Sequence, residues 1–100
     1  MKFFDPELLR TLILFSETGS LAKVADLVGR TPSAVTAQMQ RLEEQLGTAL
    51  LQHNGRGRSL TEAGEKLVGH ARRILSTHQE AWLSISGAVA EGQVSLGLTQ

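Results

Sequence analysis

The 100-residue sequence contains no cysteine, which excludes disulfide bonds and metal sites built on thiolates, and which fits an intracellular protein. Aromatic residues are few, with three phenylalanines, one tryptophan and no tyrosine. No apolar run approaches the length of a membrane span, and the apolar start at residues 1–4 is interrupted at once by Asp5 and Pro6. These absences predict a cytoplasmic protein with no membrane partner. The 41% hydrophobic content is enough for one modest core.

Groups of residues that would support catalysis are also missing. His53, His70 and His78 are too scattered to hold a metal, because the last two would lie about 12 Å apart along a helix. Residues 55–57 resemble the start of a phosphate-binding loop, but Leu60 stands where that motif requires glycine. No serine, histidine and carboxylate follow a strand as they do in hydrolases. We therefore expect neither an enzyme nor a bound cofactor.

A pattern of helix, tight turn and helix runs over residues 21–40. Ser20 is a suitable N-cap for a first helix over 21–28, and Thr31 can cap a second helix that begins at Pro32. The apolar face of the first helix comprises Leu21, Val24, Ala25 and Val28. Two short helices joined so closely are typical of the unit that places its second helix in the major groove of DNA.

The second helix has two chemically different faces. Its inner face comprises Val35, Met39, Leu42 and Leu46. Its outer face comprises Pro32, Ser33, Thr36, Ala37, Gln40 and Arg41. Small side chains let a helix approach base edges, and hydroxyl and amide groups can hydrogen-bond to bases or phosphates. This pattern alone leaves a second interpretation open, an amphipathic helix in a small bundle with a polar outer face.

A short hairpin is predicted after Gly47. Strands over 50–53 and 58–60 flank the segment 54–57, whose Asn-Gly pair is typical of tight hairpin turns. It carries Arg56 and Arg58, with His53 beside them. A hairpin that directly follows a recognition helix is a wing, and a cationic wing suits phosphates or the minor groove. The alternative is a solvated loop whose arginines only increase solubility.

Charge is distributed unevenly along a chain whose formal net charge is zero. From Arg30 to Arg58, four arginines against two glutamates give +2, whereas each flanking segment has three cations against four acids. The positive charge therefore lies on the predicted helix-turn-helix and wing. Because +2 is a small surplus for a nucleic-acid-binding surface, tight binding is predicted to need two copies of the domain.

Both ends of the sequence also have helical patterns. Asp5 and Pro6 are predicted to begin an initial helix whose inner face comprises Leu8, Leu9, Leu12, Ile13 and Ser16. From Thr61 to about residue 90 a second pattern has an apolar stripe of Leu67, Ala71, Ile74, Leu75, His78, Ala81, Trp82, Ile85 and Val89. A stripe this long exceeds what so small a body can cover, so its far half is predicted to pack on a second chain. The alternative is a helix folded back on its own domain.

The ordered series of motifs resembles the N-terminal part of LysR-type transcriptional regulators over about residues 5–75. The matching motifs are Leu8-Leu9-Arg10-Thr11-Leu12, Gly19-Ser20-Leu21 with Val24-Ala25, Ser33-Ala34-Val35-Thr36 with Gln38, Arg41-Leu42-Glu43-Glu44-Gln45-Leu46-Gly47, Leu50-Leu51, and Leu60-Thr61-Glu62-Ala63-Gly64. The resemblance implies a mainly α fold, a winged helix-turn-helix with a three-helix core, followed by a linker helix that pairs antiparallel in a homodimer. It also implies that residues 91–100 begin a truncated effector-binding domain, so any small-molecule effector would bind only the missing part.

Three positions depart from the family pattern. Pro32 stands where such regulators usually have a base-reading glutamine, which leaves the choice of bases open. Leu51 replaces a core phenylalanine with little expected consequence, and His53 replaces an arginine of the wing. A neutral imidazole donates one hydrogen bond and a protonated one restores a charge, so this exchange predicts pH-sensitive DNA binding.

Together these patterns predict a DNA-binding domain over 5–61, a dimerisation helix over 62–90 and the start of another domain over 91–100. The predicted function is sequence-specific binding of double-stranded DNA by a homodimer at an inverted repeat in a promoter. The predicted DNA contacts are Ser20, Arg30, Thr31, Pro32, Ser33, Thr36, Ala37, Gln40, Arg41, His53, Arg56 and Arg58. The predicted dimer contacts are Leu67, Ala71, Ile74, Leu75, His78, Trp82, Ile85 and Val89. The alternative is a helical dimerisation or protein-interaction module with only nonspecific DNA affinity.

Overall fold

The computed structural model describes residues 2–87, which form four helices and one antiparallel hairpin. In chain order these elements are α1 (Pro6–Thr18), α2 (Leu21–Val28), α3 (Pro32–Leu46), β1 (Leu51–Asn54), β2 (Gly57–Leu60) and α4 (Glu62–Ser86). Helices α1 to α3 pack together, the hairpin follows α3, and α4 packs along α1. This architecture confirms the predicted winged helix-turn-helix followed by a long helix.

Side-chain caps set where the helices begin. The N-caps are Asp5, Ser20, Thr31 and Thr61, and the side chain of each accepts a hydrogen bond from a backbone N–H of the first turn. Each helix ends at a glycine in the left-handed region, at Gly19, Gly29, Gly47 and Gly87. Gly29 matters most for the site, because its φ of 69° lets the chain turn at once from α2 towards α3. The predicted bounds of α2 and the start of α3 are confirmed.

Two clusters of buried side chains form the core. The larger comprises Leu8, Leu9, Leu12, Met39, Leu42, Leu50, Leu67, Val68 and Ala71. The smaller comprises Phe15, Val24, Ala25 and Val35, and it holds the helix-turn-helix together. On α1 the prediction needs correction, because Thr11 and Phe15 are buried whereas Ile13 and Ser16 are only half-buried.

The inner face of α3 also differs from the prediction at its end. Val35, Met39 and Leu42 are buried as expected, but Leu46 is 40% exposed. Leu46 is the last residue of the helix, and Gly47 turns the chain away directly after it. The core contacts of α3 therefore end at Leu42, one turn before the helix does.

The base of the hairpin is fixed from both sides. The Thr61 amide donates to the Leu50 carbonyl at 2.9 Å, and the Thr61 hydroxyl donates to the Ala49 carbonyl at 2.7 Å. From the other side, the Glu43 carboxylate accepts from the backbone amide of Leu50 at 2.8 Å. Gly64 of α4 lies directly against the Leu50 carbonyl. The hairpin is thus tied to both α3 and α4.

Helix α4 has a buried half and an exposed half. Leu67, Val68 and Ala71 lie in the larger core cluster, and Leu75 packs against that cluster. This corrects the predicted dimer contacts, since Leu67 and Ala71 contact their own domain instead of facing a partner. The helix ends at Ser86, before the predicted residue 90, because Gly87 caps it. The predicted contact at Val89 and the predicted segment 91–100 lie outside the described residues.

Candidate nucleic-acid interface

The turn between α2 and α3 places the start of α3 at the surface. The Arg30 amide donates to the Ala25 carbonyl at 2.9 Å, which ties the turn to the end of α2. The Thr31 hydroxyl then accepts from the Ala34 amide at 3.1 Å and begins α3. Thr31, Pro32 and Ser33 are all exposed. The first turn of α3 is therefore accessible at the surface.

The outer face of α3 presents the small and polar side chains that the sequence predicted there. Pro32, Ser33, Ala37, Gln40 and Arg41 are exposed and Thr36 is half-buried. The Thr31 and Ser33 hydroxyls lie 3.3 Å apart, so these two groups can act as neighbouring donor and acceptor. Because the side chains are small near the start of α3 and longer a turn later, the N-terminal end of this helix can enter the major groove of DNA.

Among the described residues, Arg30 is the one predicted DNA contact that forms an ion pair with an acidic side chain. Its Nη2 lies 2.8 Å from Oε2 of Glu7, in the first turn of α1. The two residues are 23 positions apart in the sequence, so no local pattern indicated the pair. Glu7 is therefore a charged neighbour of the α2–α3 turn that sequence reasoning missed.

A buried polar contact fixes α3 on α1. The Thr11 hydroxyl lies 2.7 Å from Oε1 of Gln38, and both side chains are buried. Buried polar groups are stable only when they are hydrogen-bonded, so this contact selects one orientation of α3. Gln38 lies three residues after Val35 and four before Leu42, which is the helical spacing that could have indicated its burial.

Two of the three basic side chains of the hairpin are exposed to solvent. His53 pairs with Arg58 across the strands, so these two side chains lie on one face. Arg56 and His53 are exposed and Arg58 is half-buried. The strand register also refines the predicted turn, because Asn54 pairs with Gly57 and leaves residues 55–56 as the loop. Arg56 therefore lies at the tip.

Ser20, a predicted DNA contact, is the N-cap of α2. Its hydroxyl accepts from the Lys23 amide at 3.2 Å and so caps α2. The Ser20 side chain is half-buried. The first turn of α2 thereby presents free amides to any anion that approaches.

The distal half of α4 carries an exposed apolar surface. Trp82 is 67% exposed and Ile85 is 87% exposed, and with His78 and Ala81 they line a shallow surface cleft. Ile74, one helical turn before His78, is 40% exposed. Isolated apolar side chains are common at protein surfaces, but a continuous group on one helix is typical of an interface.

Over residues 2–87 no three acidic or histidine side chains come close enough together to hold a metal ion. Within that range no helix is both long enough and apolar enough to cross a membrane.

Comparison with known proteins gives consistent matches. Residues 6–65 match the model of the bacterial regulatory helix-turn-helix proteins of the lysR family. The chain is 42% identical over 91 residues to the HTH-type transcriptional regulator DgdR of Burkholderia cepacia, covering 91% of this chain and 31% of that protein. It is 40% identical over 93 residues to the regulator PecT of Dickeya dadantii, covering 93% of this chain and 29% of that protein.

Among solved structures, the complex of the CbnR DNA-binding domain with DNA matches with a TM-score of 0.79. The identity there is 33%, and the match covers 85% of this chain and 98% of that one. The chain thus spans about a third of the length of the curated relatives that it matches, but nearly all of this solved domain.

Proposed function

The chain belongs to the LysR family of bacterial helix-turn-helix regulators, and from that premise we propose that it binds double-stranded DNA sequence-specifically as a homodimer at an inverted repeat. The observation that carries the proposal is the exposed first turn of α3, with its small and polar side chains beside a cationic wing. The solved complex of the CbnR domain with DNA supports the same use of this fold.

The DNA contacts divide by chemistry into two groups. Ser33, Thr36 and Ala37 would face base edges in the major groove, and Pro32 would contact apolar base surface such as a thymine methyl. Gln40 and Arg41, one turn further along α3, would reach bases or backbone. The phosphate contacts would come from Arg30, Thr31, the capped start of α2 at Ser20, and the wing residues His53, Arg56 and Arg58.

The homodimer would form through the distal half of α4. Trp82 and Ile85 expose a large apolar surface to solvent. A second α4 in antiparallel orientation would cover this surface. The contact would extend towards the helix-turn-helix through Ile74, Leu75 and His78. Two domains related by a twofold axis read an inverted repeat, because each half-site then presents the same bases.

A second candidate function is a protein-interaction module that dimerises through α4 and binds DNA only nonspecifically. The same exposed surface around Trp82 and Ile85 favours it, since apolar helix faces also recognise other proteins. The two candidates differ in the role of α3, which reads bases only in the first.

For the whole protein we propose an effector-responsive regulator in the cytoplasm, without enzymatic activity. In a protein as long as the curated relatives, a small-molecule effector would bind in the two thirds that this chain does not cover. Residues 91–100 would begin that second domain.

Selection of bound sequences from a random pool of DNA duplexes tests the proposal. The purified chain is incubated with the pool at two salt concentrations, and bound duplexes are amplified and sequenced. A palindromic consensus that persists at the higher salt concentration is the expected result. Binding without any consensus, lost as salt increases, would overturn sequence-specific recognition and favour the second candidate.

A further inference from the structure

Arg30 lies where it would meet the DNA backbone, directly before the Thr31 N-cap of α3. Its guanidinium is 2.8 Å from the Glu7 carboxylate, and the two side chains are 47% and 52% exposed. Arg30 therefore has an anionic partner before any DNA is bound. A phosphate would have to share this guanidinium with Glu7 or displace the carboxylate.

The backbone of Glu7 is held close to α3. Its amide donates to the Asp5 carboxylate at 2.9 Å, and its carbonyl lies 3.0 Å from the Thr11 hydroxyl. That hydroxyl is also the group that contacts the buried Gln38 of α3. The Thr11–Gln38 contact joins the first half of α1 to α3, and the ion pair with Arg30 places the Glu7 carboxylate beside the turn before α3.

We propose that Glu7 limits the affinity of this domain for DNA by neutralising Arg30. The inference rests on the proposed DNA-binding function and assigns to it a residue of α1 that itself would not touch a base. The carboxylate competes with phosphate for Arg30 and also repels the DNA backbone. Because an exposed ion pair is weak, the competition reduces phosphate binding without abolishing it.

Arg30 is one of the four arginines in the segment from Arg30 to Arg58, whose formal charge is only +2. Its ion pair with Glu7 therefore offsets one positive charge of a small surplus. Sequence-independent binding depends almost entirely on such charge. Glu7 therefore makes stable binding depend more on base contacts and on the second copy of the domain.

A second ion pair in the same helix provides a matched control. Glu17 of α1 lies 3.1 Å from Arg72 of α4, and these side chains are 49% and 52% exposed. Glu17→Gln removes the same charge from the same helix and from a pair of similar exposure. It differs from Glu7→Gln in position, because Glu17 is next to α4 and not next to the α2–α3 turn.

The test measures the binding of a fluorescent duplex of arbitrary sequence by anisotropy over a range of salt concentrations. The proteins are the wild type, Glu7→Gln, Glu17→Gln, Arg30→Ala and the double variant Glu7→Gln/Arg30→Ala. At about 0.1 M salt, Glu7→Gln is expected to bind the duplex about two- to fivefold more tightly than wild type. The slope of log affinity against log salt concentration is expected to be steeper by about 0.9. Glu17→Gln is expected to change affinity by less than half as much. In the Arg30→Ala background, Glu7→Gln is expected to lose most of its effect.

Three results would overturn the role of Glu7 alone. They are unchanged or weaker binding by Glu7→Gln, an equal gain from Glu17→Gln, and a gain from Glu7→Gln that persists without Arg30. The last two would mean that any lost negative charge has the same effect. Failure of every protein to bind duplex, wild type included, would overturn the proposed function and this inference with it. Circular dichroism establishes that each variant remains helical.

Discussion

Glu43 of α3 accepts a hydrogen bond from the backbone amide of Leu50 at 2.8 Å, and this contact joins the recognition helix to the base of the wing. The same carboxylate oxygen accepts from the next amide along the chain at 3.1 Å. The Glu43 carboxylate therefore holds the start of the wing against α3, while Thr61 holds it against the start of α4. The distance between α3 and the wing decides whether both can contact one DNA duplex.

Glu43→Ala should destabilise the domain. Two amides at the start of β1 lose their acceptor, and the free energy of unfolding is expected to fall by about 1–3 kcal/mol. Urea denaturation followed by circular dichroism measures the change. Glu44→Ala is the control, since the adjacent side chain is exposed, and it should stay within about 0.5 kcal/mol of wild type. Equal stability of the two variants would contradict a structural role for the Glu43 carboxylate.

Gly64→Ala should destabilise the domain as well, by a steric mechanism. A Cβ at this position would overlap the Leu50 carbonyl and press on the Leu60 side chain, so the hairpin base and α4 must separate. A loss of about 1–3 kcal/mol is expected in thermal or urea unfolding. Gly69→Ala, in the same helix with open space around it, should instead stabilise by about 0.5–1 kcal/mol. Destabilisation by both would indicate that helix geometry, not the contact with Leu50, is responsible.

Replacing Arg56 and Arg58 of the wing by alanine should weaken DNA binding and leave dimerisation intact. Each phosphate contact that is lost reduces the salt slope by about one. Anisotropy titrations at several salt concentrations give the slope, and sedimentation velocity gives the oligomeric state. A salt slope equal to that of wild type would show that the wing does not neutralise phosphates.

Trp82→Ala should have the opposite effect, because this side chain is exposed on α4 far from the wing. Loss of a large aromatic contact at an interface commonly costs about 2 kcal/mol or more, which corresponds to dimerisation weaker by about thirtyfold or more. Sedimentation equilibrium measures the dissociation constant, and binding to a duplex with two half-sites should lose cooperativity. Ser76→Ala is the control, because this exposed residue lies on the opposite face of the helix from His78 and Ile85. If both variants dimerise like wild type, the α4 interface is elsewhere.

The local chemistry of the sequence predicted the element boundaries well, because most of them are set by neighbouring residues. Ser20 and Thr31 begin helices through their own hydroxyls, and Gly29 and Gly47 end them through their own backbone conformation. Helix α4 ends at Ser86 for the same reason, and the prediction extended it to residue 90 by following the apolar stripe past Gly87.

Contacts between distant residues were not predictable in the same way. The pair of Glu7 and Arg30, and the buried contact of Thr11 with Gln38, depend on how α1 crosses α3. The stripe on α4 was read as one surface, yet its first half packs inside the domain. Periodicity identifies an apolar face, but it does not say whether the face meets its own domain or a partner.

The junction at Thr61 also has a mechanical consequence. This one residue separates β2 from α4, and its amide and hydroxyl are both bonded to the far side of the hairpin. These bonds restrain the wing relative to the 25-residue helix, and only Thr61 lies between them. In a dimer joined through α4, the separation of the two half-sites would be set by the length and stiffness of this helix. A promoter with a different spacing could be accommodated only by bending the DNA or the helix itself.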